Sequence, residues 1–313
     1  MTESHRVVVA LGGNAMTAPD GQARPEDQRK AIAAAVEPIA EVISGGTEVV
    51  LTHGNGPQVG NLLVKNEIAA DVVPPVPLDW CGAQTQATIG YTLSGALEDA
   101  LARRGVRRSV AALVTRVRVD AEDAAFQNPD KPIGRYVEAG EAARHSARGQ
   151  HWVEVAGRGW RRVVPSPEPQ DILDAGAVRA LLAAGIVPVA AGGGGIPVAF
   201  GADGSGVGVE AVLDKDRTAA LLARVVNADT LVIATDVPGA VIHRGSPQEQ
   251  QIGHTTPEQL REYARAGHFD AGSMGPKVQA ADRFVSHGGQ RAVITSLDQL
   301  AAGLAGTAGT IVS

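Results

Sequence analysis

Short apolar, β-branched runs alternate with Ala- and Leu-rich stretches along most of this 313-residue chain. Residues 7–11, 48–52, 109–119, 186–190, 230–235 and 292–295 read as strands. Helical periodicity starts at about Glu26, runs from Asp79 to Arg104, ends at Ala184, and starts again at Lys215 and at Pro276. Nearly continuous apolar strands separated by helices predict an α/β fold with a mostly parallel sheet covered on both faces. Residues 120–168 break the rhythm. They are rich in Pro, Gly and charge, with short alternating stretches on either side of residues 157–159, and are expected to form an inserted hairpin or lid.

Composition narrows the class. Aromatic residues make up only 3% of the chain, so the core must be built from Ala, Val, Leu and Ile. A net charge of -6 lacks the basic footprint of a nucleic-acid binder. The one dense basic cluster, Arg103, Arg104, Arg107 and Arg108, suits the end of a helix. No run approaches the length of a membrane span, so no membrane partner is expected. Cys81 is the only cysteine, which rules out an intrachain disulfide and reads as a small buried hydrophobe. MTESHR leads straight into a strand without the pattern of a signal peptide, and a cytoplasmic enzyme is expected.

Three glycine-rich turns follow strands directly: Gly12-Gly13-Asn14, Gly54-Asn55-Gly56-Pro57 and residues 192–195, which include Gly193 and Gly194. Ligands of open α/β sheets bind at the carboxyl ends of the strands, and glycine lets backbone N–H groups approach an anion. One such turn is ordinary; three in equivalent places predict an anion site. Gly54-x-Gly56-x-x-x-Gly60 also resembles a relaxed dinucleotide fingerprint, which leaves an NAD-dependent dehydrogenase open, although that fingerprint normally follows the first strand. No P-loop is present, because Asp130, Asp214 and Pro276 precede the three lysines in loop-like contexts.

Positive charge is carried by 23 Arg and only 5 Lys. Lys30 and Lys65 fall in helical stretches, whereas Lys131, Lys215 and Lys277 stand near turns or helix starts. An ammonium is a compact point charge that suits a moving phosphoryl group. Asp214 and Asp216 flank Lys215, where a carboxylate can cap the following helix or hold a lysine. Thr235, Asp236 and Val237 end an apolar strand, and Met274 and Pro276 lie at a helix start that offers free N–H groups to phosphate. Met274 suits either an adenine face or the core.

Taken together, ALGGNA (10–15), THGNGPQVG (52–60), KPIG (131–134), VPSPEPQDI (164–172), PVAAGGGGIPV (188–198), LDKD (213–216) and GSMGPKVQAA (272–281) resemble the amino acid kinase family, and within it the carbamate kinase branch. The resemblance covers nearly the whole chain. It implies an open αβα sandwich, read as a single domain over 1–313. The acceptor part would span about 1–185 with a protruding lid at about 120–168, and the nucleotide part about 186–313.

The implied reaction interconverts ATP plus carbamate with ADP plus carbamoyl phosphate, with Mg2+ held mainly by nucleotide phosphates and water and with no protein metal-ligand cluster. Gly12, Gly13, Asn14, Gly54, Asn55, Gly56, Gly193 and Gly194 would hold the acceptor and phosphoryl oxygens. Lys131, Lys215 and Lys277 would neutralise moving charge, with Asp216 orienting them. Asp214, Lys215, Thr235, Asp236, Val237, Met274, Pro276 and Lys277 would border the nucleotide. A homodimer and a place in arginine metabolism are implied as well. TDVPGA, Ala87 and Arg135 depart from the branch's usual pattern. A kinase of the same fold acting on another small acid and a non-catalytic nucleotide sensor stay open beside this reading.

Overall fold

The computed structural model describes residues 5–17, 24–270 and 272–313, with the side chains of Asn14 and Ala15 outside the described set. The central sheet has eight strands in the order His254–Thr255, Thr310–Val312, Arg291–Ser296, Thr230–Thr235, Arg6–Leu11, Glu48–His53, Val187–Val189 and Val110–Ala112. All neighbours pair in parallel except Arg291–Ser296 with Thr310–Val312. The expected α/β architecture with a mostly parallel sheet is the one observed.

Alternation along the strands supplies both faces of the sheet. Val8, Ala10, Val50, Leu231, Ile233, Ala292 and Ile294 face one core, which the helices Ala175–Ala183, Lys215–Val225 and Met274–Ser286 cover. Val7, Val9, Leu11, Val49, Leu51, Val232 and Val293 face the other, under Pro25–Ser44 and Leu78–Arg103. Aliphatic and Ala side chains fill both layers, as the low aromatic content requires.

One expected strand is two. Residues 109–119 divide into Val110–Ala112, at the edge of the main sheet, and Arg116–Arg118, in a second sheet beside Ile196–Phe200 and Asp171–Ile172. Side-chain hydrogen bonds hold the break. Thr115 N donates to Gln86 Oε1 at 2.7 Å, and Ala191 N donates to Thr115 Oγ1 at 3.0 Å. These polar partners come from distant parts of the chain, so hydrophobic periodicity carries no trace of the break. The last long helix starts at Met274, two residues before the expected Pro276, which proline tolerates within a first turn.

Within the interrupted region, Lys131–Val137, Gly159–Val164 and His151–Val155 form a separate antiparallel sheet, with the helix Ala139–Ser146 on it. The hairpin turn uses Gly157 at φ 72° and Gly159 at φ 95°, a left-handed backbone that favours glycine. Val137, Ala142 and Trp152 form a small core of its own. Arg135–Glu67, Arg162–Glu210 and Lys131–Asp214 ion pairs join this subdomain to the body. Among the described residues, no helix is long and apolar enough to cross a membrane.

Candidate active site

The glycine turns meet at the carboxyl ends of Arg6–Leu11, Glu48–His53 and Val187–Val189. Gly54 N donates to Leu11 O at 3.0 Å, and a Cβ on Gly54 would sit 3.0 Å from Gly13 N, so the first two turns pack backbone to backbone. The third turn locks onto the second. Gly193 has φ 67°, and a Cβ there would lie 2.1 Å from Asn55 Nδ2. Asn55 donates from that nitrogen to Thr85 Oγ1 at 2.9 Å, and Gln86 Nε2 donates to Gly192 O at 2.9 Å. Only glycine fits such a close approach without displacing these partners.

His53 lies beneath this cradle, fully buried, with Nδ1 2.9 Å from Gly54 O. A carbonyl only accepts, so Nδ1 carries the proton. Burial depresses the imidazole pKa to about 4, against a smaller opposing effect of the Gly54 hydrogen bond, so the ring is neutral at physiological pH. A Cβ on Gly192 would meet the ring at 2.3 Å from Nε2.

Opposite the glycines stand three lysines and two carboxylates. Asp214 caps the helix Lys215–Val225 by accepting from the N–H groups of Asp216 and Arg217, and its Oδ2 takes Lys131 Nζ at 2.9 Å. Asp216, 3% exposed, accepts Lys215 Nζ on Oδ1 at 2.5 Å and Lys277 Nζ on Oδ2 at 3.2 Å. Thus Asp214 is both the cap and the holder of the lid lysine, while Asp216 bridges two helix starts.

Burial pushes the Asp214 carboxyl up, but Lys131, the Arg217 N–H and Lys215 together hold it below the ordinary carboxylate range. Lys277 is pushed below its ordinary value, first by burial and then by the Lys215 ammonium, with Asp216 opposing. The helices starting at Gly56, Lys215 and Met274 all present their N-termini here, adding positive dipole ends. The resulting cleft, of about 720 Å³, is open and carries three ammonium groups against two carboxylates on one wall. An anion whose charge shifts during reaction is the ligand such a wall suits.

A model of the amino acid kinase family matches residues 5–296. The chain belongs to this family. It is 47% identical over 310 residues to the carbamate kinase of Thermococcus kodakarensis, covering 97% of this chain and 98% of that one. Identity to the carbamate kinase of Pyrococcus furiosus is 45% over 309 residues, with coverage of 97% and 98%. Among solved structures, the carbamate kinase from Giardia lamblia bound to AMP-PNP matches with a TM-score of 0.94 at 39% identity, covering 100% of this chain and 99% of that one.

In this amino acid kinase the cleft gathers Gly13, Gly54, Asn55, Gly56, Gly193, Lys131, Asp214, Lys215, Asp216, Pro276 and Lys277. Other expected residues stand outside its lining. Gly12 packs against the Ala234 carbonyl and Gly194 against Leu213. Thr235 ends its strand and Asp236 and Val237 follow it, all three outside the cleft lining, with Thr235 Oγ1 donating to Asp236 at 3.1 Å, and Met274 packs on the core. The side chain of Asn14 lies outside the described residues. Arg161 and Asp79 line the cleft without having been singled out in the sequence. Alternation in a lid strand and a helix start were their only signals, and neither marks a ligand.

Proposed function

We propose that the chain catalyses reversible phosphoryl transfer between ATP plus carbamate and ADP plus carbamoyl phosphate. The observation that carries this is the set of three ammonium groups, from Lys131, Lys215 and Lys277, fixed by two carboxylates across from a glycine cradle. The backbone N–H groups around Gly13, Gly54 and Gly193, with the Asn55 amide, are suited to hold the acceptor and the oxygens of the group in flight. Lys215 and Lys277 stand where charge builds up between donor and acceptor. Lys131 reaches the same region from the lid, so closure would bring charge in and keep water out, which matters for a product that hydrolyses. Thr235, Asp236, Val237, Met274 and Pro276 are proposed to border the nucleotide.

The site fits magnesium brought in by the nucleotide. Asp214 and Asp216 are already matched by ammonium groups, leaving phosphate oxygens and water as the ligands. Among the described residues the grouping of Glu67, Glu141 and His145 has metal-ligand spacing, but Arg135 bonds both of its carboxylates. When bound, the metal would neutralise phosphate charge.

Two of the departures from the branch's usual pattern stand differently towards the cleft. Ala87 is exposed and does not line it, whereas Arg135 lines it, with its guanidinium tied to Glu67 and Glu141. The deciding assay is ATP synthesis from ADP and carbamoyl phosphate. No ATP from that pair, with phosphorylation of acetylglutamate or another acid instead, would sink the assignment.

A cytoplasmic homodimer is part of the same proposal. Trp80 and Tyr91, 60% and 78% exposed, lie with Ala87 along one face of Leu78–Arg103, and the exposed Ile68, Val72 and Val73 precede that helix. A monomer mass in solution at micromolar concentration would overturn the dimer.

A further inference from the structure

A second groove, of about 430 Å³, lies on the outer side of the two helices that carry Lys215 and Lys277. Arg217, Arg224, Arg283 and His287 line it, and the one carboxylate among its lining residues is Glu168. Arg217 and Arg283 converge on that carboxylate from different helices, Arg217 Nη1 onto Oε2 at 3.2 Å and Arg283 Nη1 onto Oε1. Among the described residues the Arg224 guanidinium makes no hydrogen bond or ion pair, and Arg217 Nε is buried with no acceptor. Donors therefore outnumber acceptors. In a chain of net charge -6 this is a local excess of positive charge.

Helix dipoles do not account for the whole set. Arg224 and Arg283 are in the last turns of their helices, where a cation is favoured, but Arg217 is in a first turn, where it is disfavoured. Glu168 compensates for it, yet the carboxylate is 41% exposed, and exposed ion pairs are weak. A ligand with two or more negative charges would meet three guanidinium groups where Glu168 supplies one charge.

We propose that this groove binds a compact polyanionic oxyanion, in competition with Glu168. Such a ligand would act on the kinase through elements already described. Glu168 sits in the strap 165–170, which contains Pro165, Pro167 and Pro169 and leads from the lid strand Gly159–Val164 to the strand Asp171–Ile172. Its backbone N–H is held by Asp123 Oδ2 at 2.9 Å. Arg217 lies two residues beyond Lys215, and Arg283 six beyond Lys277, on the same helices. Taking them from Glu168 frees the latch between the strap and those helices, so occupancy is coupled to lid movement.

Titration calorimetry of the full chain with inorganic pyrophosphate, in the presence of saturating AMP-PNP and magnesium to fill the cleft, tests this. Pyrophosphate should bind at one further site, more weakly as salt rises. Arg224→Ser and Arg283→Ser should each weaken that site by about tenfold, the value of one charge-assisted hydrogen bond. Glu168→Gln should tighten it, an effect that loss of folding cannot mimic, and thermal melting of each variant confirms that it is folded. Tricarballylate in place of pyrophosphate tells a carboxylate preference from a phosphate one. The proposal fails if neither polyanion binds beyond the cleft, or if both bind equally to wild type, Arg224→Ser and Glu168→Gln.

Discussion

Lys277 Nζ lies 3.2 Å from Asp216 Oδ2, 61 residues away in sequence, joining the starts of two helices. The second oxygen of the same buried carboxylate takes Lys215. Two like charges are thus held side by side by one counter-charge, and the pair is poised for a ligand that brings more negative charge.

Replacing Lys215 or Lys277 by Ala should lower turnover roughly a hundredfold or more, the scale of losing one preorganised donor to developing charge. Nucleotide affinity should fall less. Arg at either position should rescue poorly, because the planar fork is longer and cannot occupy an ammonium's place. Single-turnover kinetics beside thermal melting provides the check: a variant that melts early yet transfers phosphate at the parental rate would remove that lysine from the catalytic set.

Asp216→Asn should cost at least about tenfold in turnover by releasing both lysines. It should also move the pH profile. On the proposed role of Lys277, activity should need it protonated and fall as pH rises through its pKa, which burial and Lys215 already hold below the ordinary lysine value. Asp216 opposes that depression, so its loss moves the alkaline limb to lower pH. An unmoved limb in the pH dependence of kcat would show that Asp216 does not control Lys277.

His53 should make the fold acid-sensitive. Its folded pKa is about 4 against an ordinary 6.5, so between those values the unfolded chain binds this proton and the folded chain does not. Stability from this group is fully present above pH 6.5 and declines as pH falls toward 4, by about 3 kcal/mol in all. Urea unfolding of wild type and His53→Asn at pH 7 and pH 4 should give a shallower pH dependence for the variant, and equal slopes would count against the assignment.

Substrate binding should slow amide exchange across the lid. Its small core and its few ion pairs to the body give it local stability with limited attachment. Exchange in residues 131–164 that is unchanged when both substrates are bound would argue against closure.

The sheet, the helices on both faces and the inserted subdomain are legible in the sequence, because periodicity and the Gly and Pro positions are local properties of the chain. The sequence also marked the three unusual lysines, since a chain that otherwise uses arginine makes each lysine informative. Which charges meet depends on the folded arrangement. Asp214 accepts Lys131 from the lid, 83 residues away, while Asp216 takes both Lys215 and Lys277. The split of residues 109–119 and the Arg217–Glu168–Arg283 convergence arise likewise from pairings between distant segments, and His53 is neutral because the third glycine turn, far along the chain, helps bury it. Hydrogen bonds and ion pairs depend on positions in space within about 3 Å, and sequence spacing carries that information only where the partners share one element.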